Sequence, residues 1–105
     1  MISSVEARRR MGRLMASDVI QARIARLPVN PGEFCADVME ASCADETVAG
    51  LEASEVFAVC ELAAKLGLDL SPGLGNCALT ARNGRAAVTI GFAGLYSLLK
   101  QIERV

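Results

Sequence analysis

Histidine and tryptophan are absent from this sequence, and only four of its 105 residues are aromatic. Without histidine, the serine–histidine and cysteine–histidine pairs that activate a nucleophile cannot form. Carboxylates are plentiful, but Glu33, Asp37 and Glu40 follow helical spacing, which is typical of a solvated helix face. We therefore expect a protein that is not an enzyme.

Cysteine occurs four times but never in a Cys-x-x-Cys pair. Without histidine, this spacing argues against a zinc site. Cys35 and Cys60 fall on apolar helix faces, where a thiol acts as a small hydrophobic group. A phosphate-binding loop is also disfavoured, because Gly73 and Gly75 precede a strand and no lysine follows them. The sequence predicts no metal and no cofactor.

Long apolar runs are missing as well. Hydrophobic residues make up 52% of the sequence, yet no run approaches the roughly 18 residues of a membrane helix. The arginines near the N-terminus are not followed by the apolar segment of a secretory signal. We expect one cytoplasmic domain over residues 1–105, with no membrane partner and an aliphatic core.

Charge is nearly balanced, at −1, but it is segregated along the chain. Residues 1–32 carry six arginines against two acids, and residues 33–70 carry nine acids against one lysine. Residues 71–105 are again basic. This segregation permits a basic face on a nearly neutral protein. It equally permits the basic ends to pair with the acidic middle, and the sequence leaves both interpretations open.

Start and stop signals predict about four helices. Asn30 and Ser54 are placed to cap two of them, and Gly67 is placed to end the second of these. A further cap at Ser17 indicates a break within the first helix. The predicted helices are 4–27, 31–44, the segment between Ser54 and Gly67, and 92–104.

The order of these elements predicts a mostly helical α+β fold. Its ADETVAG stretch is expected to be a polar connection. The single domain divides into three segments: a basic helical segment (1–30), an acidic helix and loop (31–50), and a helix–hairpin–helix segment (54–105).

Asn83-Gly84 is the strongest short hairpin signal in the sequence, because a type I′ turn needs positive φ at both central residues. We expect residues 77–82 and 85–90 to pair about this turn and to pack on the helices. The apolar face of the hairpin would comprise Cys77, Leu79, Ala81, Ala86, Val88 and Ile90.

The opposite face of the hairpin ends in two arginines that lie directly across from each other. Like charges in this arrangement are destabilising, and a phosphate would relieve the repulsion while matching guanidinium geometry. The candidate residues for contacting nucleic-acid phosphates are Arg82, Arg85, Lys100 and Thr80. The alternative interpretation of the arginines alone is a solubilising hairpin tip.

The stretch AKLGLDLSPGLGNCALTARNGRAAVTIGFAGLYSLLKQ resembles the central segment of the phage single-strand annealing proteins of the RecT/Redβ type. Three motifs carry the resemblance in order: Leu66–Asp69 at the end of a helix, Gly75–Leu79 at the start of a strand, and Ile90–Leu95 at the start of the last helix. The resemblance covers about residues 54–104 and indicates a truncated relative.

This resemblance implies ATP-independent binding and annealing of complementary DNA strands by proteins that assemble into rings or filaments. It places the hairpin and the turn after it at or near a DNA groove. The sequence also departs from the family, because alanines stand where tyrosine, proline and a basic residue are usual. The three alanines are Ala78, Ala81 and Ala93. Without the tyrosine at position 78 a stacking surface is lost, and without the basic residue at position 93 a phosphate contact is lost.

A second hypothesis follows from those departures. The chain would then be a phage-encoded protein-binding module that regulates a recombinase, or an inhibitor of a host defence nucleic-acid complex such as a CRISPR effector. Its active surface would be the acidic stretch 33–61, with Glu33, Asp37, Glu40, Asp45 and Glu46 as partner-binding residues. A gene remnant without activity is a third alternative.

Both functional hypotheses share one expectation about assembly. A lone two-stranded hairpin is marginal in water, and both of its edges would be open to pairing. We therefore expect self-association or a protein partner.

Overall fold

The computed structural model describes residues 4–43, 46–68, 70 and 77–103. In these ranges six helices and one antiparallel hairpin occur, which confirms the predicted α+β class but exceeds the predicted helix count. The elements are α1 (Ser4–Met15), α2 (Asp18–Ala25), α3 (Pro31–Ser42), α4 (Glu46–Ala49), α5 (Ala53–Lys65), β1 (Cys77–Arg82), β2 (Arg85–Ile90) and α6 (Phe92–Glu103). Asp69 of the Leu66–Asp69 motif, the glycines Gly73 and Gly75, the first part of the Gly75–Leu79 motif and the candidate residue Asp45 lie outside the described residues.

The helix count differs at two places. The first predicted helix is divided into α1 and α2 at the expected break, and Ser17 occupies the N-cap position of α2 without a side-chain capping bond. The prediction of a polar connection at ADETVAG is wrong, because α4 lies within it. Val48 and Ala49 are buried there, so a turn of helix forms to bring two apolar side chains into the interior.

The predicted caps are confirmed at two helix ends and wrong at a third. Asn30 Oδ1 accepts the Glu33 N–H at 3.0 Å at the start of α3. α5 begins at Ala53 behind Glu52, so Ser54 lies in its first turn rather than at its N-cap. The exposed Ser54 side chain therefore has no capping role.

The C-terminus of α5 has the predicted glycine termination. Gly67 has φ +75°, and its N–H donates to Ala64 O at 3.0 Å. The next N–H, from Leu68, donates to Ala63 O at 2.9 Å, which completes a Schellman motif. Leu68 is buried, so the motif also turns an apolar side chain back onto the helix.

The hairpin has the predicted register. Arg82 pairs with Arg85, Leu79 with Val88, and Cys77 with Ile90. The two residues of the turn, Asn83 and Gly84, have φ of 54° and 75°, as a type I′ turn requires.

The core lies between α1, α3 and α5, and the hairpin covers one side of it. Phe57 of α5 contacts Phe34 of α3 edge to face, with ring centroids 6.0 Å apart. From the hairpin, Leu79, Ala81 and Ala86 pack against this core. The predicted packing of the hairpin on helices is thus confirmed. Among the helices that the structure describes, none combines the length and apolar character needed to cross a membrane.

Candidate nucleic-acid interface

The hairpin tip presents two exposed arginines. The two-residue turn sets Arg82 and Arg85 directly opposite each other at the ends of β1 and β2. None of the ion pairs among the described residues involves Arg82. The tip therefore combines one arginine without an ion pair and a second cation beside it.

Arg85 has an internal partner that the sequence did not predict. Its Nε donates to Glu55 Oε1 at 2.9 Å, and the same oxygen accepts the Ala86 N–H at 3.2 Å. The hydrogen bond from Arg85 lowers the pKa of the Glu55 carboxyl, opposed by desolvation. Glu55 thus relieves part of the repulsion that was expected to require an external anion. The Arg85 side chain is still 78% exposed, so such a pair is a weak one.

The other two candidate DNA-binding residues differ in their position: Thr80 precedes Arg82 by two residues on the same face of β1, and Lys100 lies on α6. Thr80 is half-buried, and its Oγ1 donates to Ala87 O across the hairpin at 3.4 Å. Lys100 is exposed on α6, with its Nζ 5.4 Å from the centre of the Tyr96 ring. The structure therefore brings Arg82 and Arg85 together and leaves Lys100 on a separate element.

The acidic residues of the alternative hypothesis do not form one uniform surface. Glu33 and Glu40 of α3 and Glu46 of α4 are exposed, whereas Asp37 is half-buried. The two acids of α5 that complete the acidic stretch 33–61, Glu55 and Glu61, are engaged with arginines of the same chain.

Arg23 and Glu61 form the least exposed ion pair among the described residues. Glu61 is buried, and its two carboxylate oxygens accept Arg23 Nε, at 3.0 Å, and Arg23 Nη2. The hydrogen bond from Arg23 lowers the pKa of Glu61, with burial acting in the opposite direction. Arg23 also lies 5.1 Å from the centre of the Phe57 ring. Charge segregation had permitted pairing between the basic and acidic segments as one of two open interpretations, but it could not name these partners.

An apolar groove follows β2 on its α5 side and was not predicted. Its volume is about 350 Å³, and it is lined by Val59, Leu62, Ala63, Leu66, Leu68, Ala86, Ala87, Val88 and Ile90. Leu62 and Ile90 are 57% and 44% exposed. The sequence predicted that Ile90 lies on the packed face of the hairpin. In the structure Ile90 is the last residue of β2, and it is exposed rather than packed against the core.

The exposed apolar surface continues on α6. Leu95, Leu99 and Ile102 of this helix recur at helical spacing, and each of the three is at least half exposed. Gln101 Nε2 donates to Leu66 O at 3.1 Å and ties α6 to the end of α5. The helix forms as expected, while much of its apolar face remains open to solvent.

Two of the four thiols, those of Cys35 and Cys60, are disfavoured as thiolates. Burial raises the pKa of the Cys60 thiol to about 12, with smaller contributions from Cys77 and Asp37. Burial also raises the pKa of Cys35. In the part of the chain that the structure describes, no three His, Cys, Asp or Glu side chains are grouped closely enough to hold a metal ion.

Comparison with known proteins adds no relative: no family model, no curated protein and no solved structure matches this chain.

Proposed function

We propose that this chain is a non-catalytic binding protein for single-stranded DNA, of the kind that the resemblance to annealing proteins implies. The observation that carries the proposal is the pair of opposed, exposed arginines at the hairpin tip. A rigid I′ turn holds both guanidinium groups at one edge, where a phosphate can bridge them.

The ion pair of Arg85 with Glu55 is compatible with this function. Only the Nε of Arg85 bonds to the carboxylate, so the remaining N–H groups of the guanidinium can serve a second acceptor. DNA phosphates then compete with Glu55 only for the Arg85 Nε and for the charge of the guanidinium, and the Glu55 side chain is 26% exposed. This competition makes the affinity sensitive to the charge of Glu55.

Fluorescence anisotropy with a labelled oligothymidylate tests the proposal. We expect the double variant Arg82→Ala/Arg85→Ala to bind at least about tenfold more weakly at low salt, because each lost charged hydrogen bond costs about 1.5–3 kcal/mol. The matched control Arg13→Ala/Arg26→Ala removes the same charge from exposed positions on the N-terminal segment and should bind as the unmodified protein does. Equal affinity of the two double variants would sink the proposal.

A second candidate function is a protein-binding module, and the exposed apolar side chains of α5, β2 and α6 favour it. Large exposed apolar patches are rare on monomeric proteins, and where they occur they usually mark an interaction site. The exposed acids Glu33, Glu40 and Glu46 would then surround the contact with a basic partner. A stoichiometric protein complex that is lost in Glu40→Lys, together with no oligonucleotide binding at low salt, would favour this function over the first.

A further inference from the structure

The outer edge of β2 carries backbone groups that the hairpin does not use. In a hairpin with a two-residue turn, the residues that flank the turn bond to each other, and the next residues direct their N–H and C=O outward. Ala86, Val88 and Ile90 therefore face away from β1. The contact of the Ala86 N–H with Glu55, at 3.2 Å, agrees with this outward direction.

The remaining outward groups are those of Val88 and Ile90. Within the ranges that the structure describes, no backbone hydrogen bond from outside the hairpin reaches Val88 or Ile90. An unpaired strand edge of this kind is a template for another strand.

The apolar groove lies beside this edge. Three consecutive residues of β2, Ala86, Ala87 and Val88, line it together with side chains of α5. Because consecutive strand residues point to opposite faces, a groove that touches all three follows the edge of the strand rather than one face. Leu62 and Leu66, 57% and 41% exposed, form its far side. A strand added to the edge of β2 would cover this groove.

We propose that the occupant of this edge is the same edge of a second copy of the chain. The two β2 strands would run antiparallel about a twofold axis through Val88, giving a continuous sheet in the order β1-β2-β2-β1. In this register Val88 bonds to Val88 of the second copy. Ala86 lies opposite Ile90, so the Ala86 N–H exchanges its bond to Glu55 for one to the Ile90 carbonyl of the second copy. Both α5 helices lie on one side of the joined sheet, so Leu62 and Leu66 of each copy close over the shared groove.

The charge pattern supports a second copy as the occupant. In the same register Arg85 lies opposite Gly91, so no like charges face each other across the new strand pair. The two Arg85 residues stand six residue steps apart, which is roughly 20 Å along the sheet and beyond the screening length of about 8 Å in physiological salt. The exposed face of α6 offers no such register, because a helix surface without an open hydrogen-bonding edge does not specify its occupant.

Sedimentation equilibrium across a range of protein concentrations tests the proposal. We expect the full chain to reach twice its monomer mass of 11.1 kDa. Val88→Pro removes an outward N–H, and Leu62→Lys places a charge in the groove. Both variants should sediment as monomers at concentrations where the unmodified protein is dimeric.

Two matched variants control for fold and charge. Ala81→Pro removes an outward N–H from the edge of β1 instead, and Val19→Lys adds a charge at an equally exposed apolar position on α2. Both should remain dimeric. Circular dichroism establishes that each variant is folded, and Leu62→Lys keeps the test open should Val88→Pro unfold.

Three results would overturn the dimer. They are a monomer at every concentration, a dimer that survives both Val88→Pro and Leu62→Lys, and a monomeric chain whose β2 edge instead binds a strand of a different protein. The proposal goes beyond DNA binding and uses neither tip arginine. The anisotropy measurement and the sedimentation measurement can therefore fail independently.

Discussion

Glu55 and Glu61 lie on the same helix and neutralise arginines from two different elements. Glu61 holds Arg23 of α2, and Glu55 holds Arg85 of β2. The two pairs differ in burial, because Glu61 is buried and the Arg85 side chain is largely exposed. At the scale of single residues, the first pair is therefore structural, while the second is open to competition.

The Arg23–Glu61 pair predicts a pH-dependent contribution to stability. We expect Glu61→Gln to lower the free energy of unfolding at pH 7 by about 1–3 kcal/mol, because a charged, largely desolvated hydrogen bond is lost. The pKa of Glu61 is lowered in the folded protein. Its contribution is therefore complete above the unfolded value of about 4.3 and is lost as the pH falls through the folded value.

Urea denaturation of both proteins at a series of pH values measures this difference. The gap between the unmodified protein and Glu61→Gln should be constant near neutrality and shrink below roughly pH 4. Glu40→Gln, at an exposed acid of α3, serves as the control and should show little change. A gap that widens on acidification would contradict the role given to the pair.

Removing the charge of Glu55 should change the affinity for DNA in the opposite direction from removing the tip arginines. Because Glu55 competes with phosphate for Arg85, Glu55→Gln should bind an oligothymidylate several-fold more tightly than the unmodified protein at low salt. The measurement is the same anisotropy titration, with Glu46→Gln as a control for net charge. Equal gains in the two variants would show that only net charge matters, and competition at Arg85 would then be the wrong explanation.

At the scale of elements, the α5 terminus and the hairpin turn both depend on glycines with the same backbone angle. Gly67 and Gly84 each have φ +75°, but their surroundings differ. A Cβ on Gly67 would lie 2.9 Å from Gln101 Nε2, whereas a Cβ on Gly84 would meet nothing within 4 Å. Gln101 provides the hydrogen bond that ties α6 to α5.

Alanine substitution at these two glycines separates backbone strain from loss of the α6 contact. Each substitution should cost about 1–2 kcal/mol, because an L-residue disfavours this conformation. Only Gly67→Ala should also displace Gln101 and raise amide hydrogen exchange within α6. If exchange in α6 rises equally in Gly84→Ala, or in neither variant, the proposed tie between the two helices is wrong.

The elements that could be predicted from the sequence are those specified by adjacent residues. Asn83-Gly84 determines its own turn and the strand register, and Asn30 and Gly67 mark helix ends through bonds to residues three or four positions away. α4 was missed because its helix forms only when Val48 and Ala49 are buried by other elements, and burial is a tertiary property.

The candidate site was predictable to the same extent. The opposition of Arg82 and Arg85 follows from the turn and was confirmed. The pairing of Arg85 with Glu55, 30 positions earlier, could not be deduced because it depends on how α5 packs against β2. The same limit applies to Arg23 and Glu61, whose partnership only the assembled helices define.

At the scale of the whole molecule, the separated charges of the sequence serve two purposes. Part of the acidic segment pairs with arginines of the same chain, through Glu55 at the surface and Glu61 in the interior. Two basic groups of the C-terminal part, Arg82 and Lys100, are exposed. A nearly neutral protein can therefore still present a local cationic site.

The salt dependence of binding to single-stranded DNA tests this account most directly. Each phosphate contact with a single strand contributes about −0.7 to the slope of log affinity against log salt concentration. We predict a linear loss of affinity with salt, and a slope that is shallower by about 1.4 in Arg82→Ala/Arg85→Ala, because two contacts are removed. An unchanged slope in that variant, or no binding of the unmodified protein at low salt, would contradict the account.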